Sequence, residues 1–562
     1  MTRQLERATV RNRVARANEF EPGNPAATAP VASRPQSPSE HMLANLALAL
    51  ASGILVALPF LRPALWWLHY AALVPWIVLV TRDNTRWSWV YFLAGAYTFL
   101  IMGLGALSLF HKAVPFAVAA LYAPFLLPFA ILLRFLYRHF RWPLILLVPM
   151  LWVATEWLRL RYSLGGVAFF PLGTSQFQRT TLIQIADFTG VYGVSFLIAA
   201  ANGAVVDTWK MWQAGGRRWR AAVPLGAFLL LLTAVLWYGA DRRKTVELVA
   251  GPRITAVQPN ILHYRDRRRA LETFEAQLAF TRAGVTPRSA DVIAWPENAI
   301  GEPISDNPRY LQALAELARY EGAHLLIGGY TWADTPGRLH TSAYYISPEG
   351  AVVARYDKIH MIPFSEYLPF GGGLRRLGAS VAQSLLGYAG TGSPGSDVTA
   401  FPIRYASDGR MLQFAVPICF EVSNSDFARA AARRHVDFLI NITSEGLLGP
   451  PMYLHMLAHS TLRAVENRIA VVRVANNALS GFIDPLGRTQ LMPSAAGGGL
   501  LRAAGTLTER VPLRATGSGT FYSTYGDWLA YLCGISTILL VAVSFARMRL
   551  SAASAPGTES RP

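Results

Sequence analysis

A thiol, a carboxylate and an ammonium each stand at the end of a short apolar run in this 562-residue chain. Cys419 closes FAVPICFE, Glu297 follows the apolar residues of AWPEN, and Lys358 follows the strand-like VVARY in YDKIHMIPFSEYLPF. Taken singly, a strand-end cysteine is usually inert core, such a glutamate a turn or helix-start acid, and such a lysine a solvated partner for Asp357. Gathered at the ends of separate strands, the three make a nucleophilic set. Glu297 would accept the thiol proton, while Lys358 would favour the thiolate and stabilise the oxyanion formed when a carbonyl is attacked. The backbone N–H of Phe420, directly after the nucleophile, offers a second oxyanion donor. The second cysteine, Cys533, lies among apolar residues and reads as packing. Two cysteines exclude a disulfide framework.

Only a layered domain can bring such strand ends together, and residues 241–520 have that texture. Candidate strands are 254–258, 291–296, 324–330, 342–347, 414–420, 437–443 and 470–476, with helices expected over 266–283, 308–321, 424–434 and 453–467. The alternation points to an α/β domain with its own core. One Gly- and Ser-rich stretch, 370–397, contains an apolar segment with Leu377, Leu385, Leu386 and Tyr388. It reads equally as a surface excursion or a lid over the site.

The remainder of the chain is membrane-like. Hydrophobic residues make up 52% and charged residues 15%, against about 25% charged in soluble domains. Apolar runs near the roughly 20 residues that cross a bilayer fall at 43–61, 64–80, 88–110, 113–134, 142–158, 188–208 and 220–239, with an eighth at 525–546. The fifth is short and reaches Glu156. The expected organisation is a disordered basic tail over 1–42, a membrane domain over 43–240, a catalytic domain over 241–520, a transmembrane helix over 521–547 and a tail over 548–562. Arg82 and Arg86, Arg134, Arg138 and Arg141, Lys210 and Arg217, and Arg547 and Arg549 fall in alternate loops, which places both tails in the cytoplasm. No signal-peptide apolar stretch follows the first arginines, so no cleaved leader is expected. The formal charge of +18 is scattered between apolar runs, which favours anionic lipid over nucleic acid as counterpart.

The order WPE, then DK with PF-E-Y-P, then C-F-E resembles the carbon–nitrogen hydrolase (nitrilase) superfamily and its Glu–Lys–Cys triad. With membrane spans before and after such a domain, and with EWLRLRYSLGGVAFFPLGTSQ and DFTGVYGVSFLI upstream, most of 43–546 resembles the apolipoprotein N-acyltransferases. These are bacterial inner-membrane enzymes that complete lipoprotein maturation. The resemblance implies an α-helical membrane bundle of about eight spans carrying a periplasmic α/β domain of the αββα sandwich type. It implies Glu297 as general base, Lys358 as transition-state stabiliser and Cys419 as nucleophile. Glu366 matches a further functional glutamate, either bracing Lys358 or acting directly, and Glu421 matches a carboxylate that orders the site. Phe420 stands where the family commonly has tyrosine, which removes a hydroxyl and keeps the amide and ring. The family's later S-N-D-x-W-F-G pattern is ITSEGLLGP here, with Ser444, Glu445, Leu447 and Leu448; this bears on substrate identity more than on the triad. Asn441, Glu466, Asn476 and Asn477 also lie in segments resembling the superfamily, and cap, turn or ion-pair roles suit them equally.

The implied reaction passes an acyl chain from a phospholipid, phosphatidylethanolamine or a similar lipid, through a thioester on Cys419 to the amine of a diacylglyceryl-cysteine lipoprotein. His340, His360 and His455 do not form a ligand set, and no P-loop is present. Neither the residues nor the resemblance calls for a cofactor or metal. Two other readings stay open: a membrane-tethered amidase or nitrilase-type hydrolase in which water replaces the amine, and a noncatalytic assembly factor of the conjugal-transfer type that resembles this family.

Overall fold

The computed structural model describes residues 38–82, 87–109, 111–163, 169–215, 217–261, 269–363, 365–367, 380, 390–405, 409–445, 449–493, 504–515 and 519–553. The described residues from Asn45 onward belong to one compact unit. Most of the expected basic tail, 1–37, and the apolar part of the 370–397 excursion lie outside the described residues.

Among the described residues, seven helices are long and apolar enough to cross a bilayer: His41–Leu61, Pro63–Thr81, Ser88–Ser108, Val114–Phe140, Val191–Gln213, Arg218–Thr245 and Trp528–Leu550. The run expected at 142–158 is also a helix, Leu144–Tyr162, but it carries Glu156, Arg159 and Arg161 and is less apolar than the seven. Glu156 and Arg159 turn inward, while Arg161 stays exposed and pairs with Asp426. The helix packs against Val191–Gln213 and Trp528–Ala553, and its buried Glu156 accepts hydrogen bonds from Ser195 Oγ (2.7 Å), Trp152 Nε1 (3.1 Å) and the Leu172 N–H (3.2 Å). A carboxylate at membrane depth is tolerated in this way, faced into the bundle and hydrogen-bonded. Cys533 is buried in the last helix, as packing requires.

Beyond the bundle, the described residues form twelve strands in two six-stranded sheets. The first contains β1 (Leu248–Gln258), β2 (Val292–Ala294), β3 (His324–Trp332), β4 (Leu339–Ile346), β5 (Val352–Asp357) and β12 (Gly505–Arg514). The second contains β6 (Phe401–Arg404), β7 (Met411–Ala415), β8 (Phe438–Thr443), β9 (Ala470–Ala475), β10 (Gly481–Ile483) and β11 (Thr489–Leu491). Each has three adjacent parallel strands, β1-β2-β3 and β7-β8-β9, extended by antiparallel neighbours. Parallel neighbours need crossovers, supplied by Ala270–Gly284 and Pro308–Glu321 in the first sheet and Ser425–Arg433 and Gly449–Asn467 in the second.

Alternation along the strands builds the layers. In β2 and β3, Val292, Ala294 and Leu326 join the large core, whereas Ile293, Leu325 and Ile327 join a second core with Phe274, Tyr310 and Leu314 of the first-sheet helices. Successive side chains face opposite sides of a sheet, so strands covered on both faces read as continuous apolar runs. The sheets meet face to face, with the Tyr345 ring of β4 edge-on to Phe401 of β6 and Phe414 of β7. The result is a helix-covered two-sheet α/β sandwich whose parallel strands end on one side.

Candidate active site

Glu297 follows the end of β2, Lys358 follows β5 directly, and Cys419 follows β7. The strand expected to run through Phe420 stops at Ala415. Pro417 has no N–H to give the ladder, and Cys419 adopts a left-handed backbone with φ +55°. That conformation costs a non-glycine residue about 1–2 kcal/mol and persists where surrounding contacts fix it. Those contacts come from β8 and β9. Asn441 donates from Nδ2 to the carbonyls of Pro417 (2.8 Å) and Cys419 (3.2 Å), and its Oδ1 accepts from Arg473 Nη1 (2.9 Å). Arg473 is itself fully buried and paired with Glu445 at 2.8 Å.

Glu297 is buried at the start of a tight turn. The backbone of this turn lies so close to β3 that a Cβ on Gly328 would meet the Pro296 carbonyl and come within 2.8 Å of Glu297 Cα. Lys358 is wholly buried, with Nζ 2.6 Å from Glu366 Oε1 and 3.8 Å from Glu297 Oε1. Asp357, its alternative partner, bonds instead to Arg355 (3.0 Å) and Ser342 Oγ (2.6 Å). Glu366 is in turn held by the Ile362 N–H at 2.8 Å. The described end of the Gly-rich excursion braces the same place, with Gly392 N–H bonded to the Glu366 carbonyl (2.9 Å) and Gly395 N–H to that of Lys358 (2.8 Å).

Glu421 ties the cysteine turn to the lysine loop. Its Oε2 accepts the Ile418 N–H (3.0 Å), while Oε1 accepts the N–H groups of Ile359 (3.0 Å) and His360 (2.9 Å) and the Tyr356 hydroxyl (2.7 Å). Phe420 is buried and meets Phe169, from the segment between two membrane helices, edge to face at 5.6 Å. The cysteine turn thus touches the bundle.

The electrostatics follow from this crowding. Burial pulls the Lys358 ammonium down, but Glu366, the Cys419 sulfur and Glu297 together outweigh it and hold the group above the ordinary lysine range. Burial, then Glu297, raise the Cys419 thiol above its usual value; Lys358 opposes them and is outweighed, with Glu366 and Glu445 adding to the rise. Burial and Glu297 thus favour the neutral thiol.

Of the other residues read from the sequence, Glu466 is buried and pairs with Arg463 at 2.7 Å. Asn476 exchanges hydrogen bonds with the backbone of Ile261, Asn477 and Ser444 are buried, and Leu447 and Leu448 lie outside the described residues. His340 Nδ1 bonds the Ser393 carbonyl (2.8 Å), and His455 meets His459 Nε2 to Nε2 at 3.1 Å. Among the described residues no group of three or more His, Cys, Asp or Glu is placed to hold a metal ion. Sequence reasoning passed over Tyr356, Arg473 and the glycine brace. Tyr356 was findable, since β alternation puts it on the same face as Lys358, and Arg473 is a lone charge inside the apolar strand AVVRVA.

Residues 52–204 match the apolipoprotein N-acyltransferase N-terminal domain and residues 253–511 the carbon–nitrogen hydrolase family. An apolipoprotein N-acyltransferase of Geobacter metallireducens is 30% identical over 520 residues, 89% of this chain and 95% of that one. The Rickettsia prowazekii protein of the same name is 27% identical over 515 residues, covering 88% and 96% respectively. An apolipoprotein N-acyltransferase 2 of Treponema denticola is 29% identical over 402 residues, 67% of this chain and 73% of its own. With both parts matched in this order, and likeness sustained across bundle and sandwich alike, the chain belongs to the apolipoprotein N-acyltransferase family.

Proposed function

We propose that the protein transfers a fatty acyl chain from a phospholipid, with phosphatidylethanolamine a suitable donor, through a thioester on Cys419 to the N-terminal amine of a diacylglyceryl-cysteine lipoprotein. The observation that carries this reading is the buried meeting of Glu297 and Lys358 beside a thiol whose turn packs on the membrane bundle. Lipid substrates keep their reactive groups at the bilayer surface, and the site stands where the spans meet the sandwich.

In the first half-reaction the Cys419 proton passes to Glu297 as sulfur attacks the donor's ester carbonyl. Lys358 and the Phe420 N–H stabilise the oxyanion. Collapse breaks the ester C–O bond, and Glu297 returns the proton to the leaving lysophospholipid oxygen. In the second, Glu297 takes a proton from the attacking amine, the C–S bond breaks, and an amide and a free thiol result. Glu366 and Glu421 act as positioning residues, the first on Lys358 and the second on both loops. The basic loops orient the chain with its tails in the cytoplasm and its sandwich on the periplasmic side of a bacterial inner membrane. That orientation requires Leu144–Tyr162 to cross the membrane with the six strongly apolar helices that precede the sandwich.

The test is stoichiometry. Purified protein given phospholipid without acceptor is expected to release about one equivalent of lysophospholipid and stop, then to resume on addition of a diacylated lipopeptide. Continuous release of free fatty acid without acceptor would make water the natural second substrate and the protein a hydrolase.

A further inference from the structure

Glu156 and Arg159 lie one turn apart on the buried face of Leu144–Tyr162, each 1% exposed, and both grip the same short stretch of chain. Arg159 donates from Nη1 to the Phe169 carbonyl and from Nη2 to the Phe170 carbonyl (3.3 Å), while Glu156 accepts the Leu172 N–H (3.2 Å). A guanidinium presents a planar fork that serves two acceptors at once, and taking it out of water is costly unless its donors are used. Here the fork is spent on backbone carbonyls.

The stretch they hold is strained. Phe170 has a left-handed backbone with φ +52°, a conformation that persists in a non-glycine residue only where its surroundings over-determine it. Its ring is fixed between Phe60 of the first spanning helix (5.2 Å) and His455 of the sandwich (4.6 Å), and it passes so close to Gly103 that a Cβ there would come within 2.7 Å of it. With that ring locked, the carbonyl bonds of Arg159 set the course of the preceding residue. The Phe169 ring stands edge-on to Tyr122 at 5.5 Å and to Phe420 at 5.6 Å. Phe420 itself follows a second left-handed residue, Cys419 at φ +55°. Two strained turns, one from the bundle and one from the sandwich, therefore meet ring to ring, one residue away from the thiol.

We propose that Arg159 is a positioning residue for acylation: by clasping the Phe169 and Phe170 carbonyls it fixes the Phe169 ring against Phe420, and so keeps the Phe420 N–H aimed at the oxyanion formed when Cys419 attacks. It acts through those two rings rather than on the substrate. The inference rests on the reading of Cys419 as nucleophile and of the Phe420 N–H as oxyanion donor, and on no particular lipid as the source of the acyl group.

The test is a mutant cycle read with p-nitrophenyl octanoate, whose nitrophenolate burst reports acylation of the thiol per folded protein without a lipid donor. The full-length protein is compared with Arg159→Met, Phe420→Ala and the double variant. The expected result is a fall of about 10–10²-fold in the maximal acylation rate of Arg159→Met, with KM for the ester within about twofold, and a further loss of no more than about twofold when Arg159→Met is added to Phe420→Ala. Phe169→Leu should lose rate with the same dependence on Phe420, and it carries the comparison where Arg159→Met does not fold. A loss repeated in full in the Phe420→Ala background overturns the inference, since Arg159 would then act by another route. So does an unchanged rate, or a raised KM with the rate intact, which would assign this face to substrate binding. A burst missing from the unsubstituted protein, or surviving in Cys419→Ser, would instead strike at Cys419 as the nucleophile.

Discussion

At the residue scale the site is a problem in charge conservation. Lys358 brings one positive charge, and the buried Glu297 and partly exposed Glu366 bring two negative ones beside it. Ionising Cys419 into solvent would add a third negative charge, whereas passing its proton to Glu297 leaves the sum unchanged. On the proposed mechanism a raised thiol suits this role, since it would be ionised only as it attacks. Replacing Glu297 by Gln removes the largest neighbouring charge that opposes the thiolate. The Cys419 titration, followed by thiolate absorbance, should therefore move to lower pH in Glu297→Gln even as transfer falls by about 10²–10⁴-fold. In Lys358→Met it should move to higher pH. Opposite shifts would contradict the assignment. Glu366→Gln leaves Lys358 without its 2.6 Å ionic partner and is expected to slow acylation by about 10²-fold, read as single-turnover lysophospholipid release. Glu297, Lys358 and Cys419 stood out in the sequence because each ends an apolar run. Tyr356 and Arg473 left fainter signals, strand alternation and a lone charge in an apolar strand, and no sequence spacing advertises Glu445 as the partner of Arg473 on a distant strand.

At the element scale, close approach and capping do the positioning. Gly328→Ala would drive a methyl into the backbone that carries Glu297. It should cost about 1–3 kcal/mol of stability and reduce acylation more than the loss of folded protein accounts for, as thermal melts beside active-site titration would show. β1, β3, β4, β8 and β9 were legible as apolar runs of ordinary strand length. It overextended β7, because Pro417 and the left-handed Cys419 end the strand inside an unbroken apolar string. The short strands β6, β10 and β11 carried too few residues for a period to register. A second prediction concerns Glu466, whose carboxylate accepts the Val191 N–H at the start of a membrane helix (2.9 Å). Burial lifts its pKa from 4.5 to about 7 against the pull of Arg463 and that N–H. Between those values the folded protein holds a proton that the unfolded chain has released, so this group's contribution to stability falls as pH rises from about 4.5 to about 7. Glu466→Gln should flatten that decline in denaturation midpoints taken at about pH 5 and pH 8; an undiminished slope would contradict it.

At the scale of the whole molecule, bundle and sandwich are joined by buried polar ties as well as by rings. Arg468 of the sandwich pairs with Asp187 at 2.7 Å and also bonds the Pro485 carbonyl at 2.9 Å, while Phe420 leans on Phe169. Breaking an ion pair this deeply buried by Asp187→Ala is expected to destabilise by about 3–5 kcal/mol, seen as a lowered melting temperature in detergent. The apolar runs were readable from hydropathy, least clearly at Leu144–Tyr162, whose inward-facing Glu156 and Arg159 dilute its apolar character for a reason visible only in the bundle. The central claim is that Cys419 carries the acyl group between two lipid substrates. The direct measurement is mass spectrometry of the Cys419 peptide after incubation with phospholipid, with Cys419→Ser as comparison, before and after adding a diacylated lipopeptide. The account predicts a fatty acyl thioester on Cys419 that disappears as an N-acylated lipopeptide forms. An unmodified Cys419 in folded protein that nonetheless produces N-acylated lipopeptide would contradict it.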